Sequence, residues 1–250
     1  MNVRALWVKC RLGVVALVAM CAEVGSPLQA APPPQAAAAP PADAPAGREA
    51  GVKAAPGVVR AELERWRIVD SQSGPVNYYT VQHDAGRTFL RGAYQPPNKK
   101  AVLGFEVPEK SRERLHRLEW SWRAVKFPAL GDECTKEKGD SALVLYVTWR
   151  RFLRWYSLKY VWSTTRTPGT VCDRRRNTFV AQDTVVLESG GPAGVWKHES
   201  LDLTHEFRAH FADGDEHADV PPLMGLGVMT DGDQTKTEST GDYSDFVLSP

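Results

Sequence analysis

Seven aspartates lie between residue 213 and the C-terminus, at a density that suits cation binding. They are Asp213, Asp215, Asp219, Asp231, Asp233, Asp242 and Asp245. Oxygen-rich turns of this kind suit Ca²⁺, and Asp231 and Asp233 flank a single glycine, which makes them the predicted metal ligands. Residues 213–224 do not form an EF-hand loop, because Ala218 and Met224 replace its glycine and its glutamate. The alternative is that these aspartates cap turns by accepting backbone hydrogen bonds.

A second group of residues combines an aromatic ring with positive charge. The segment from Trp155 to Trp162 alternates with period two, which places Trp155 beside Lys159 on the polar face of a strand. Trp155 is therefore predicted to be an exposed platform for a sugar ring. Arg151, Arg154 and Lys159 are predicted to bind the same ligand, through sulfate, uronate or phosphate groups if it is charged.

These basic residues belong to a longer series in the middle of the chain. Its members are Arg150, Arg151, Arg154, Lys159, Arg166, Arg174, Arg175 and Arg176. They would converge into one cationic patch if the two central cysteines were bonded to each other. The alternative is a solvated sheet edge that arginines keep soluble.

Motifs of known catalytic machinery are absent from the sequence. His205 and His210 resemble the histidines of a zinc-protease helix, but they are five residues apart instead of four and diverge around the helix. Ser189 lacks the glycine pattern of a nucleophile elbow, and no glycine-rich phosphate loop is present. A non-catalytic role is therefore expected, although paired carboxylates of the glycosidase type depend on the fold and stay open.

The first 57 residues have the composition of an export signal followed by a tether. Residues 1–30 combine three basic residues, an apolar run too short to span a bilayer, and small residues at a cleavage site, as in a secretory signal peptide. Cys21 leaves a lipoprotein signal as the alternative. Residues 31–57 are rich in alanine and proline and are predicted to be a disordered linker. Residues 58–250 form the one predicted domain.

Export has consequences for charge and redox chemistry. Removal of residues 1–30 lowers the formal net charge from +1 to −1, so the domain has no global field that would attract nucleic acid, and no membrane span remains. Cys134 and Cys172 would be its remaining cysteines. In an oxidising periplasmic or extracellular space they are predicted to form a disulfide, with two buried thiols or a metal pair as the alternatives.

The domain itself is predicted to be all-β. Short runs rich in β-forming residues alternate with Gly, Pro and Asp, at spacings that suit a sandwich or a barrel. Residues 118–124 alternate with Trp120 and Trp122 on the apolar face, and residues 142–149 and 155–162 predict a hairpin with a basic tip. Only residues 203–211 have a helical pattern.

The order of these segments resembles a bacterial family, domain of unknown function 3047. The resemblance covers residues 66–250 and rests on the segments WRIVDSQSGPVNYYTV, LEWSWRAV, KGDSALVLYVTW, WYSLKYVW and MGLGVMTDGDQT, and on the ending GDYSDFVLSP. It implies no activity. The ending, with Tyr243, Asp245, Phe246 and Leu248, also resembles the last strands of jelly-roll carbohydrate-binding domains. This likeness implies an antiparallel jelly-roll-like β-sandwich with one short helix.

These features together predict an exported, non-catalytic binding module for a polysaccharide or another cell-envelope glycan. No cofactor is expected, apart from the structural Ca²⁺ considered above. One alternative is an envelope scaffold that binds protein. The other is a glycan hydrolase or lyase on the same sandwich, with Asp140, Asp183 and Asp231 as candidate carboxylates.

Overall fold

A computed structural model of the chain describes residues 57–69 and 78–250. The predicted signal peptide (residues 1–30) and all of the predicted linker except Gly57 lie outside the described residues. Among the residues that are described, no helix has the length and apolar character needed to cross a bilayer.

Strands dominate the described part of the chain, as the alternating patterns predict. In chain order they are β1 (Val59–Arg60), β2 (Arg67–Ile68), β3 (Tyr79–Asp84), β4 (Arg87–Tyr94), β5 (Val102–Glu106), β6 (Arg117–Lys126), β7 (Leu143–Arg151), β8 (Arg154–Ser163), β9 (Val171–Arg176), β10 (Val180–Ser189), β11 (Lys197–Asp202), β12 (Leu223–Met229) and β13 (Ser239–Ser249). One α-helix, α1 (Leu203–Phe211), separates β11 from β12.

The strands form two sheets that pack into a sandwich. The six-stranded sheet has the order β11-β6-β13-β4-β3, with β1 also paired to β13. The seven-stranded sheet has the order β2-β5-β12-β7-β8-β10-β9. All pairs are antiparallel except β8 and β10, which run parallel because the chain returns along β9 before it enters β10. The predicted β-sandwich with one helix is therefore confirmed.

Aromatic rings fill the space between the sheets. Trp120 and Trp122 on β6 have no solvent exposure, as the alternation of that strand predicts. The Trp120 ring lies 6.5 Å from that of Tyr160, and the Trp122 ring lies 6.0 Å from that of Trp162. Both of these partners belong to β8, so the contacts join the middle of one sheet to the middle of the other.

Helix α1 closes one end of this core. Its N-cap residue Asp202 accepts hydrogen bonds from the backbone N–H groups of Thr204 and His205, at 2.9 and 3.0 Å. Phe207 and Phe211, one turn apart, pack their rings against Trp149 and Tyr156 of the seven-stranded sheet. The apolar stripe of the sequence thus faces the core as predicted.

Two strands that sequence alternation does not reveal lie at the sheet edges. β9 ends the seven-stranded sheet and β11 ends the six-stranded sheet. Most of their side chains are charged or polar and half or fully exposed, because an edge strand has only one hydrogen-bonded neighbour and natural edges carry charge. This composition hides them from a search for apolar periodicity.

The predicted disulfide between Cys134 and Cys172 is present. Cys172 lies on the edge strand β9, and Cys134 lies in the connection between β6 and β7, so the bond fixes that connection to the seven-stranded sheet. The two cysteines are 38 residues apart in sequence.

We expect the Cys134→Ser, Cys172→Ser double variant to lose about 3 to 4 kcal/mol of unfolding free energy, because a loop of this length gains that much chain entropy in the unfolded state. Urea unfolding followed by tryptophan fluorescence measures the loss. A similar loss on reduction of the unmutated protein is the control. An unchanged midpoint in both would contradict a stabilising bond.

Candidate functional site

The seven-stranded sheet has two faces of different character. On β7, Leu143, Leu145 and Val147 point into the core between the sheets. Val144 and Tyr146 point the opposite way and belong to a second apolar cluster with residues from β5, β8, β10 and β12. We call this second side the outer face. Most of its side chains are buried, and Val144, Val161, Thr184 and Val186 have no solvent exposure.

Strand register aligns the outer-face residues in four rows across β12, β7, β8 and β10. The rows are Met229, Val144, Val161 and Val186; then Gly227, Tyr146, Lys159 and Thr184; then Gly225, Thr148, Ser157 and Gln182; and last Arg150, Trp155 and Val180. The face therefore changes from apolar to polar, and then to basic and aromatic, along the strands.

The two middle rows contain buried hydroxyl groups that lack partners. Ser157 Oγ and Thr184 Oγ1 are buried and have no hydrogen-bond partner in the part of the chain that the structure describes. Thr148, beside Ser157, donates to the carbonyl oxygen of Gly225 at 3.1 Å. An unpaired buried hydroxyl is costly in a folded protein. The two oxygens are therefore buried polar atoms without a partner, on a face whose side chains are themselves largely shielded from solvent.

Glycines on β12 and β5 leave parts of these two strands without side chains on the outer face. Gly225 and Gly227 on β12 belong to the two polar rows, and Gly104 on β5 pairs with Gly227. A Cβ on Gly225 would lie 2.7 Å from the carbonyl oxygen of Phe105, and one on Gly227 would lie 3.4 Å from the side chain of Tyr146. Side chains would therefore be crowded at both positions, and β12 presents main chain beside the longer side chains of β7 and β8.

Trp155 and Lys159 lie on the outer face together, as their spacing in the sequence predicts. Trp155 is only 9% exposed, however, and the guanidinium of Arg150 lies over its ring at 5.0 Å from the centroid. The expectation of an exposed platform is therefore wrong, because Arg150 pairs with Trp155 across the hairpin and covers the indole. Lys159 is half-buried in the row above.

Arg151 and Arg154 are paired with each other across the end of the β7–β8 hairpin, in alternation with the outer-face residues. Arg151 donates to the carbonyl oxygen of Asp219 at 2.6 Å, and the Arg154 guanidinium lies over the ring of Tyr156. They therefore lie at the tip of the hairpin, one strand position away from Trp155.

The longer series of basic residues does not converge into one patch. Arg166 forms an ion pair with Asp132, Arg175 with Asp173, and Arg176 with Asp183. These three arginines are held by separate carboxylates on the β6–β7 connection, β9 and β10. Their charges are locally balanced, and Arg174 is exposed on the edge strand β9. Arg150, Arg151, Arg154 and Lys159 are therefore the basic group nearest the outer face.

The two predicted metal ligands come together with a third carboxylate. Oxygen atoms of Asp140, Asp231 and Asp233 lie within 4.8 Å of one another, beyond the end of β12 that carries Met229. Asp140 and Asp231 are buried, and the ammonium of Lys100 lies 3.6 Å from Asp233. Asp140 lies just before β7, so the pairing of β7 with β12 brings it to residues that follow it by about ninety positions.

The carboxylates of this cluster accept backbone hydrogen bonds in turns and also offer oxygen ligands for a cation. Asp140 accepts hydrogen bonds from the backbone N–H groups of Gln234 and Thr235, at 3.1 and 2.6 Å, as a turn-capping carboxylate does. Asp231 accepts from the backbone N–H of Ser141 at 3.0 Å. Three carboxylates around one point offer the hard oxygen ligands that Ca²⁺ prefers, so the residues fit such an ion.

The pKa of Asp231 shows the electrostatic cost of burying these carboxylates together. Burial raises the pKa of Asp231 to about 7; the negative charge of Asp140 acts in the same direction, and the positive charges of Lys100 and Lys159 oppose it. Lys159 thus links this cluster electrostatically to the polar rows of the outer face.

Three other aspartates of the acidic C-terminal part, Asp215, Asp242 and Asp245, have structural partners elsewhere. Asp242 has no solvent exposure and accepts from Arg91 and Arg123 on the far side of the six-stranded sheet. Asp245 forms an ion pair with Arg87 at 3.7 Å, and Asp215 accepts from the backbone N–H of His217 at 2.9 Å. These aspartates stabilise a strand, a bulge and a turn.

Asp183, a candidate catalytic carboxylate from the sequence, is instead held inside the core beside α1. It pairs with His210 at 2.8 Å and with Arg176 at 2.7 Å. Burial raises the pKa of Asp183, but the hydrogen bonds from His210 and Arg176 outweigh it, so the pKa lies below its ordinary value. Glu206 accepts from Tyr160 in the same network. The arrangement is that of a buried ion pair.

Raised carboxyl pKa values also occur at Glu133 and at Glu199, which lies on the edge strand β11. Burial raises the pKa of Glu199 to about 7, with a smaller contribution from Glu188 in the same direction and an opposing hydrogen bond from Trp122. Glu199 lies on the edge strand β11 that sequence alternation misses, so no sequence signal identifies it.

Comparison with known proteins assigns the chain to a family. The family described as Protein of unknown function (DUF3047) matches residues 64–247, so the chain belongs to it. Among curated proteins none matches the chain in sequence.

Three solved structures match the chain at low similarity. The xyloglucanase domain of NopAA, a type three effector from Sinorhizobium fredii solved with cellobiose, is 10% identical with a TM-score of 0.41, covering 79% of this chain and all of that one. A family 11 carbohydrate-binding module of Clostridium thermocellum Lic26A-Cel5E is 6% identical with a TM-score of 0.35, covering 77% and 85%. Trichoderma harzianum endoglucanase 3 of family GH12 is 9% identical with a TM-score of 0.37, covering 79% and 99%. At these values the likeness says nothing about what this chain binds.

We expect Asp231 to make stability fall as the pH rises. Its raised pKa means that its contribution is fully present below the ordinary aspartate pKa and is lost as the pH rises to about 7. The Asp231→Asn variant keeps an oxygen that can accept from Ser141 but has no proton to lose. Between pH 4 and pH 8 the wild type should therefore lose on the order of 4 kcal/mol relative to the variant, by urea unfolding without divalent cations. Parallel pH profiles would show that Asp231 is already ionised in the native state.

Proposed function

We propose that this member of the DUF3047 family is an exported, non-catalytic binding module that binds a polysaccharide or another cell-envelope glycan on the outer face of its seven-stranded sheet. The observation that carries the proposal is the pair of buried, unpartnered hydroxyl groups of Ser157 and Thr184 in the two polar rows. Binding requires the face to open, because neither oxygen is exposed to solvent. A glycan is the class of ligand whose own hydroxyls would then satisfy both.

Folding leaves the hydroxyl groups of Ser157 and Thr184 without hydrogen bonds. A buried polar group without a partner costs about 1 to 3 kcal/mol relative to one that is hydrogen-bonded. Two such groups lie in adjacent rows on neighbouring strands, with the amide of Gln182 beside them. A sugar hydroxyl can both donate and accept, so a chain of sugars along the rows would recover part of this cost.

The rest of the face suits the same ligand. Trp155 supplies an indole ring one row away from Ser157, and a pyranose can pack its apolar side on such a ring once Arg150 moves aside or pairs with the ligand. Lys159 provides a positive charge within the polar rows. Arg151 and Arg154 complete the proposed set at the tip of the hairpin, where acidic groups of a longer chain would meet them.

Export is part of the proposal. The composition of residues 1–30 supports a signal peptide, and the disulfide between Cys134 and Cys172 is of the kind that persists in an oxidising compartment. The proposed location is the periplasm or the extracellular space.

A structural cation is proposed at the acidic cluster, with Asp231 and Asp233 as ligands and Asp140 as the third. The support is the convergence of the three carboxylates and the raised pKa of Asp231, a cost that a divalent cation removes. We expect millimolar Ca²⁺ to raise the melting temperature at pH 8, and the Asp231→Asn variant to show no rise. A rise of equal size in both would place the cation elsewhere.

The function is tested by incubating the protein with immobilised neutral and anionic polysaccharides and measuring retention and released sugar together. We expect at least one polysaccharide to retain it without release. The Ser157→Ala variant should bind about five to ten times more weakly, because one ligand hydrogen bond is lost. Its unfolding free energy should be equal or higher, because a buried unpaired hydroxyl has been removed.

The matched control is Ser121→Ala, which removes a buried serine hydroxyl from the outward side of the other sheet. It should leave retention unchanged. Alanine at Trp155, Arg151 and Arg154 together should abolish retention, and high salt should weaken the part due to the arginines. Equal retention by the wild type and the Ser157→Ala variant would place the ligand on another surface.

Released sugar would instead support a hydrolase or lyase. The observation that favours this second candidate is Glu199, whose pKa of about 7 suits a general acid and whose neighbour Glu188 is a second carboxylate. Loss of release in the Glu199→Gln variant, with retention kept, would assign the activity to that edge.

A further inference from the structure

Three large apolar side chains are exposed together at one end of the seven-stranded sheet. Phe152 is 90% exposed and Leu153 68% exposed at the turn between β7 and β8, and Phe179 is 57% exposed just before β10. The backbone N–H of Trp155 donates to the carbonyl oxygen of Phe179 at 2.7 Å, which holds the two turns side by side. We call these three residues the apolar tip. Exposed apolar residues that cluster in this way mark contact surfaces.

The backbone conformation of the β7–β8 turn does not favour a phenylalanine at position 152. The φ of Phe152 is +52°. Arg151 and Arg154, which stand before and after the two-residue turn of Phe152 and Leu153, are paired with each other. Glycine and asparagine adopt this conformation most easily, and aromatic residues rarely do. A phenylalanine here adds neither core packing nor turn stability, so the fold does not explain it.

Positive charge surrounds the apolar tip. Arg150, Arg151 and Arg154 flank Phe152 and Leu153, and none of the three forms an ion pair with a carboxylate in residues 57–69 and 78–250. Asp219 contacts Arg151 through its backbone carbonyl oxygen rather than its carboxylate. Three guanidiniums next to protruding apolar side chains match a surface of acyl chains below a layer of phosphates.

The shape of the apolar tip favours a lipid surface over a protein partner. A stable protein interface buries about 1,200 Å² or more in total, and two protruding turns with three apolar residues offer far less. Binding to a bilayer requires only the insertion of apolar side chains and positive charge nearby, and the two contributions to the binding free energy add.

We propose that the apolar tip is a membrane-contact site, at which Phe152, Leu153 and Phe179 insert into an anionic lipid surface while Arg150, Arg151 and Arg154 bind lipid phosphates. The membrane-contact site shares Arg151 and Arg154 with the glycan proposal, but none of its three apolar residues lies on the outer face, so Phe152, Leu153 and Phe179 distinguish the two. Contact at this end leaves the polar rows and the acidic cluster further along the strands clear of the bilayer.

The test measures binding of the purified protein to vesicles of phosphatidylcholine alone and of phosphatidylcholine mixed with phosphatidylglycerol, by co-sedimentation. We expect binding to the anionic vesicles only, weakening as salt is raised. Phe152→Asn should weaken it about tenfold or more, because one aromatic ring no longer inserts. Arg151→Gln should weaken it about fivefold, through loss of one charge near the surface.

Leu130→Asn is the matched control. Leu130 is also exposed, at 74%, and also has a positive φ, +64°, but it lies in the connection between β6 and β7. Asparagine suits both backbone positions, so neither variant should unfold the domain. Equal binding by wild type and Phe152→Asn, equal binding to neutral vesicles, or no binding to anionic vesicles would each overturn the proposal. Glycan retention by Phe152→Asn should be unchanged, which separates failure here from failure of the proposed function.

Discussion

The packing of four aromatic rings between the sheets determines what every other strand face can do. Trp120 and Trp122 on β6 meet Tyr160 and Trp162 on β8, and all four are buried. Once alternate residues of β8 are committed to the core, Trp155, Ser157 and Lys159 must point the other way. A one-residue slip of β8 would turn Lys159 into the core and the rings of Tyr160 and Trp162 away from it. The packing of the core therefore determines which residues of β8 lie on the outer face.

As a result of this packing, the chemical character of the outer face changes from row to row along the strands. Valines occupy the row next to the acidic cluster, hydroxyls and an amide occupy the middle, and the last row pairs an arginine with a tryptophan. Negative charge accumulates at one end, around Asp140 and Asp231, and positive charge at the hairpin end. Lys159, between the two, opposes the burial-driven rise in the pKa of Asp231 and of Glu133. A long polar ligand would therefore meet a different chemistry at each end.

The sequence predicts those parts of the structure that depend on local periodicity. The alternation in β6 and β8 identified both strands and their buried rings, and the four-residue repeat identified α1. The edge strands β9 and β11 were missed because their solvent-exposed residues have no apolar face to reveal. The exposure of Trp155 was predicted wrongly, since the residue that covers it comes from the opposite strand of the hairpin. Asp140 joins Asp231 only through strand pairing across ninety residues, which no local pattern records.

The most direct measurement of the central claim is methyl NMR of the domain during titration with an oligosaccharide of the retained polymer. The outer face carries Val144, Val161 and Val186, while Leu145, Val147 and Val185 lie on the core side of the same strands. Binding on the outer face predicts that the first three methyl signals shift most and that those of the core side change little. Shifts confined to the six-stranded sheet or to the sandwich edge at Glu199 would contradict a glycan site on the outer face.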